Sequence, residues 1–262
     1  MDFSMIWIPA AILAGLGGFF GILLAVASRV FAVKTDPRVP LVRDLLPGAN
    51  CGGCGFSGCD ALASAIVEGT APCNACTVGG NETAQAIAAV MGTEAGECQR
   101  MRAQVMCSGT NDVALKKYLY EGAQDCLAAS RLAGGDKLCH YGCLGLGSCV
   151  SVCKFGALSV QNGVAVVDPE KCTGCSACIK TCPKQLIRLV PYESPHFVAC
   201  MSHEKGAVVN KMCKAGCIGC GICAKLCEAG AITINGFLPE IDYEKCTYCG
   251  KCVVKCPKHV MH

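Results

Sequence analysis

Residues 171–183 read KCTGCSACIKTCP, which sets Cys172, Cys175, Cys178 and Cys182 at C-x2-C-x2-C-x3-C with Pro183 behind them. No other feature restricts the fold as much. A tight loop that points every third side chain inward lets three thiolates wrap one face of an iron–sulfur cube, and the fourth Cys of such a run serves a neighbouring cluster. Structural zinc sites instead pair two separated C-x2-C knuckles. The run returns at residues 245–257, KCTYCGKCVVKCP, with Cys246, Cys249, Cys252 and Cys256. Both runs predict [4Fe–4S] clusters.

With 26 Cys among 262 residues, a secreted disulfide scaffold is the first alternative. Thiols two residues apart suit a cluster and not a disulfide framework. The formal charge of +3 does not describe the loaded protein. A [4Fe–4S] cluster with four thiolates carries about −2, so about five clusters contribute about −10 and exclude a basic nucleic-acid binder. One Trp leaves little for an ordinary core. Clusters that each fix four chain positions take its place, and folding is expected to be coupled to metal loading.

Residues 3–28 are uncharged and mostly apolar. As a helix they would be about 39 Å long, enough to cross a hydrocarbon core of about 30 Å. Asp2 precedes them and Arg29, Lys34, Arg38 and Arg43 follow. The positive-inside rule therefore expects a single-pass anchor, N-terminus outside and everything after Arg29 cytoplasmic. A cleaved signal peptide would need a positive n-region and a shorter apolar stretch. A linker containing Pro37, Pro40 and Pro47 leads to CGGCGFSGC, whose Cys51, Cys54 and Cys59 run into a helix near residues 58–68. Cys76 is the expected fourth ligand, preferred to Cys73 because Val-Gly-Gly follows it closely, and a second helix is expected near residues 82–91.

Residues 96–138 read as a connecting segment, with a helix expected within residues 114–133. Next, Cys139, Cys143, Cys149 and Cys153 form a stretched run, C-x3-C-x5-C-x3-C, some twenty residues before Cys172. A hairpin at residues 158–167, turning at Asn162-Gly163, separates the two runs in the manner of a two-cluster ferredoxin. The plan repeats: Cys217, Cys220, Cys223 and Cys227, a hairpin at residues 231–241, then the run ending at Cys256. An apolar lead-in precedes each module, VMC ending at Cys107 and VAC ending at Cys200, and Cys139–Cys143 and Cys213–Cys217 share C-x3-C. The chain is an internal duplication. The expected class is α+β: a transmembrane anchor (1–29), a helical four-Cys [4Fe–4S] domain (30–95), the connecting segment (96–138) and two bacterial-type 2[4Fe–4S] ferredoxin modules (139–190 and 191–262).

These motifs together, over essentially the whole chain, resemble RnfB, the iron–sulfur subunit family of the Rnf ion-translocating ferredoxin:NAD oxidoreductase. The resemblance implies a bacterial inner-membrane complex that takes electrons from soluble reduced ferredoxin toward NAD while moving Na+ or H+. Flavin and nicotinamide sites would then lie on other subunits. Lys154 and Glu228 depart from the Pro that usually follows a ferredoxin run.

Five clusters are expected, with the last Cys of each run crossing to the partner cluster. The expected sets are Cys51, Cys54, Cys59 and Cys76; Cys139, Cys143, Cys149 and Cys182; Cys153, Cys172, Cys175 and Cys178; Cys217, Cys220, Cys223 and Cys256; and Cys227, Cys246, Cys249 and Cys252. Cys73, Cys98, Cys107, Cys126, Cys200 and Cys213 remain, either as inert thiols or, for Cys107, Cys126, Cys200 or Cys213, as recruits to a sixth cluster. No hydrolytic motif is present, and the five scattered His (His140, His196, His203, His259, His262) read as surface residues. A membrane-associated polyferredoxin serving a dehydrogenase without ion pumping is the alternative function. Lys180, Lys214, Lys225, Lys251 and Lys255, set among the cluster loops, are candidates for docking an acidic ferredoxin.

Overall fold

The computed structural model describes residues 4–31, 36–96 and 98–262. Asp2, Phe3 and Lys34, part of the expected span and its flanks, lie outside them. Helix α1 (Ser4–Val30) is continuous, and its Ala11–Val30 portion has a mean hydropathy of 2.2 with none of it buried against the rest of the chain. Twenty-seven residues make a helix about 40 Å long. It is the one described helix long and apolar enough to cross a membrane.

The stretch read as a Pro-containing linker is instead helix α2 (Arg38–Leu45). Pro37 stands at its N-cap and Pro40 in its first turn, where backbone N–H groups have no intrahelical partner to lose. Helices α3 (Cys59–Val67) and α4 (Gly80–Met91) pack on α2 around buried Val42, Leu46, Leu62, Ile66 and Ile87. Arg43 pairs with Asp60 at 2.7 Å across α2 and α3.

Strand β1 (Met101–Val105) precedes α5 (Cys126–Arg131). The helix expected within residues 114–133 forms only as α5, begun where Asp125 accepts the N–H of Ala128 at 2.7 Å. Upstream, Ala114 and Lys116 make antiparallel bridges to Cys213 and Lys137, so their backbone is committed to cross-chain pairing. Helix α6 (Ser148–Ser151), strands β2 (Leu158–Gln161) and β3 (Val164–Val167), helix α7 (Ala177–Thr181) and strand β4 (Ile187–Pro191) follow. Helices α8 (Gly206–Met212) and α9 (Ile222–Lys225), strands β5 (Ile232–Asn235) and β6 (Leu238–Ile241), and helix α10 (Lys251–Val254) complete the order.

All three sheets are two-stranded and antiparallel. The β2–β3 hairpin sets Leu158 opposite Val167 and turns through Asn162 and Gly163, both at positive φ as a type I′ turn requires. The β5–β6 hairpin repeats it with Ile232 opposite Ile241. Strand β1 closes the first unit by pairing with β4, Val105 opposite Ile187. In the second unit Val198 bridges Met261. Four-residue helices and isolated hairpins are not stable by themselves. Here they pack on cores in which thiols are prominent: Cys149, Cys172 and Cys178 beside Leu158 and Ile187, and Cys200 and Cys217 beside Ile232 and Leu238.

Candidate iron–sulfur sites

One backbone is used four times. Positive φ recurs at Gly145, Gly147 and Gly156; at Gly174, Ser176 and Gln185; at Gly219, Gly221 and Gly230; and at Tyr248, Gly250 and His259. The spacing is the same each time, and four of the twelve residues are not Gly, so the loop imposes the conformation. In this register the first thiol of each run is Cys143, Cys172, Cys217 and Cys246. The second is Cys175, Cys220 and Cys249, but in the first run that position holds Leu146. The first run is therefore not stretched; it starts at Cys143 and lacks a thiol.

Another thiol lies beside this loop. A cavity of about 370 Å³ is lined by Cys126, Cys143, Cys149 and Cys182. Helix α5 presents Cys126 there: the Cys126 N–H donates to Ser148 Oγ at 2.7 Å, and that hydroxyl donates to Asp125 Oδ2 at 3.0 Å. Cys139, expected in this group, does not line this cavity. It lies ahead of the run, at the place Cys213 holds in the second unit, and lines a different cavity.

A cavity of about 340 Å³ is lined by Cys153, Cys172, Cys175 and Cys178. One of about 320 Å³ is lined by Cys51, Cys54, Cys59 and Cys76. Cys73 lies outside it, 3.5 Å from Thr93 Oγ1, and Cys98 is directed to the carbonyl of Asn74 at 4.0 Å. In the second unit burial raises the pKa of Cys217 and Cys223; smaller contributions come from Cys200, Cys223 and Cys256 at Cys217, and from Cys220 and Cys256 at Cys223. Cys246 and Cys249 act on Cys252, and Cys227 and Cys252 share one core.

Backbone amides point at the sulfurs. Ala103 N donates to Cys172 Sγ, Ala157 N to Cys153 Sγ and Ala231 N to Cys227 Sγ, each at 3.3 Å. Such donors tune a bound cluster. Burial is the main cause that pushes Cys149 up to about 12 and Cys178 and Cys217 to about 11. Ligation as thiolate therefore displaces protons. Among the described residues no group of three or more His, Cys, Asp or Glu converges tightly enough for a single metal ion. Four thiols around a cavity fit a cube, whose corners keep its ligands apart.

The first cavity abuts the ferredoxin unit. Lys154 Nζ donates to Ala49 O at 3.2 Å and Lys180 Nζ to Gly52 O at 3.4 Å. A Cβ on Gly53 would sit 2.8 Å from Cys175 O. At the other end Cys220 and Cys249 are exposed, whereas the other thiols are buried or half-buried.

Family models for iron–sulfur domains match three stretches of the chain. "Putative Fe-S cluster" matches residues 46–78, "4Fe-4S binding domain" residues 164–187 and "4Fe-4S dicluster domain" residues 216–260. The chain is 49% identical over 97% of its length, and 77% of the relative's, to the B subunit of the Na(+)-translocating ferredoxin:NAD(+) oxidoreductase complex of Acetobacterium woodii. It is 48% identical over 95% of its length to the B subunit of the ion-translocating oxidoreductase complex of Methanosarcina acetivorans, covering 94% of that protein. The chain belongs to the B-subunit family of ion-translocating oxidoreductase complexes. A third member, the B subunit of the proton-translocating ferredoxin:NAD(+) oxidoreductase complex of Clostridium ljungdahlii, is 42% identical over 92% of this chain and 87% of its own. Members of this Rnf family thus carry different ions in their names. The chain is an electron-transfer protein with 4Fe-4S domains.

Sequence reasoning did not place Cys126 beside Cys143, Cys149 and Cys182, for which Leu146 at the second-Cys position was the available signal. It read only the C-x3-C part of the repeat K-x-C-x-x-G-C, at residues 137–143 and again at 211–217, which marks where the regular runs begin.

Proposed function

We propose that this protein carries electrons from a soluble reduced ferredoxin, through a series of [4Fe–4S] clusters, toward NAD reduction elsewhere in an Rnf-type complex that moves Na+ or H+. The observation that carries the reading is the succession of four-thiol groups from the exposed Cys220 and Cys249 to the four-Cys domain that follows α1. When bound, each cluster supplies one-electron chemistry and takes up no proton.

The ligand sets we assign are Cys51, Cys54, Cys59 and Cys76; Cys126, Cys143, Cys149 and Cys182; Cys153, Cys172, Cys175 and Cys178; Cys217, Cys220, Cys223 and Cys256; and Cys227, Cys246, Cys249 and Cys252. Cys126 stands where Cys139 was expected. Domain limits near residues 29, 95, 138 and 190 remain our division of the chain. Buried surroundings at Cys149, Cys172 and Cys178 exclude water from the inner sites, whereas Cys220 and Cys249 present the outer sites to a partner. Lys214, Lys225 and Lys255 offer positive charge near that end. Lys251 pairs with Glu228, and Lys180 is engaged at Gly52. The charges after α1 support an anchor with its N-terminus outside and the thiol-rich domains on the cytoplasmic side of a bacterial inner membrane.

The test is electron transfer in the purified complex from reduced ferredoxin to NAD, followed against ionic strength. Rates should fall as salt rises through about 0.1 M, where the screening length reaches about 10 Å. Rates indifferent to salt would remove the basic docking face. Failure of ferredoxin to reduce this protein at all would remove the donor assignment.

A further inference from the structure

A further four-thiol cavity, about 430 Å³, belongs to none of the five sets. It is lined by Cys107, Cys139, Cys200 and Cys213, two from each ferredoxin unit. Cys107 and Cys200 end the matching lead-ins, and Cys139 and Cys213 are the matching third residues of the K-x-C-x-x-G-C repeat. The cavity therefore sits where the two units meet. It is of the same size class as the cavities of about 320 to 370 Å³ assigned above.

Its thiols are held as ligands are held. Cys107 Sγ accepts the N–H of Gly109 at 3.4 Å and of Cys143 at 3.5 Å. Cys200 Sγ accepts the N–H of Ser202 at 3.5 Å and of Cys217 at 3.3 Å. The duplicated pattern gives each sulfur one amide two residues ahead and one from the first ligand of a neighbouring set. An inert buried thiol behaves as a small hydrophobe and has no need of two convergent amides.

A buried cation completes the case. Lys137 is 1% exposed and lines the cavity. Its ammonium donates to Gly109 O at 2.6 Å and Gly163 O at 2.8 Å, two of its three donors, and meets no carboxylate among the described residues; neighbouring Asp136 pairs with Lys116 instead. A charge buried this way is costly unless an anion faces it. The matching Lys211 of the second unit is exposed, so the burial of Lys137 is specific to this cavity.

We propose that Cys107, Cys139, Cys200 and Cys213 bind a further [4Fe–4S] cluster at the junction of the two units, with Lys137 as its buried counter-charge. The inference rests on the ligand sets given above. The site lies between the Cys143 set and the Cys217 set, whose first ligands donate the amides just described, and it would join two otherwise separate pairs of clusters. The cluster would exchange one electron at a time and no proton.

The test uses the full-length chain, isolated or in its complex with all clusters in place. Six sets of four thiols predict about 24 iron and 24 acid-labile sulfide per chain, against about 20 for five. The paired variant Cys107→Ala with Cys200→Ala should lose about four iron and one component of the reduced EPR spectrum, while Cys73→Ala with Cys98→Ala loses none. Lys137→Met should keep all the iron and move one component to lower potential, because the cation stabilises the more negative reduced form. A wild-type count of about 20, a single zinc beside about 20 iron, or unchanged iron in the paired Cys variant would overturn the sixth site. An unmoved potential in Lys137→Met would overturn the counter-charge. Cys172→Ala separates these failures from failure of the underlying reading, because only that variant touches a set whose loss is expected whether or not the sixth site exists.

Discussion

At the scale of single residues, Leu146 and Cys182 carry the most information. Leu146 stands where the other three runs have their second Cys, and Cys126 lines the cavity in its stead. Cys126→Ala should therefore cost about four iron per chain. Adding Leu146→Cys to that variant should restore them, since the loop backbone at Gly145 and Gly147 already matches the regular runs. Iron analysis of both variants checks the pair of expectations; no rescue would mean that Cys126 does not fill the missing position. Cys182→Ala addresses the crossing. It should abolish the signal of the set containing Cys143 and Cys149 and leave that of Cys172, Cys175 and Cys178. EPR of the reduced variant reads the result, and loss of the Cys172 signal instead would mean that each run binds its own cube. The regular spacings were legible in the sequence because local ligands follow one another along a loop. Cys126 was not, because a thiol delivered across space by a separate helix leaves no spacing to read.

Among the elements, the hairpins were the most legible, since Asn162-Gly163 names its own turn. Helix α2 was hidden by its prolines, which are tolerated because they fall at and just inside its start. The helix expected across residues 114–133 shrank to α5 because pairing of Ala114 and Lys116 with the later chain outweighs local propensity. The contact between the four-Cys domain and the first ferredoxin unit depends on a loop without a side chain at residue 53. Gly53→Val would place carbon within 2.8 Å of the Cys175 carbonyl, and neither side is a flexible side chain that can yield. That variant should hold its iron but loosen the two parts. Faster protease cleavage between α4 and β1 and weaker magnetic coupling between the reduced clusters would register the loosening; wild-type values for both would show that the contact does not hold the domains together.

Taken as a molecule, the chain divides its tasks along its length: an unpacked apolar helix, a small helical domain, then two units whose cores contain many of their thiols. Because none of the Ala11–Val30 portion is buried against the rest, removing residues 1–30 should leave the iron content unchanged and bring the protein into solution without detergent. Fractionation and iron analysis check this, and loss of iron on truncation would mean that α1 supports the fold.

Crossed ligation also bears on how such a protein is made. On a ribosome the N-terminal part emerges first, and the thiols from Cys51 to Cys76 are all available early. With the crossed sets we propose, that of Cys126, Cys143 and Cys149 would wait for Cys182, and that of Cys217, Cys220 and Cys223 would wait for Cys256. A cube in either unit would then close only once a distant part of the chain has left the ribosome. Until that point its thiols would be free and would need reducing conditions to stay unoxidised.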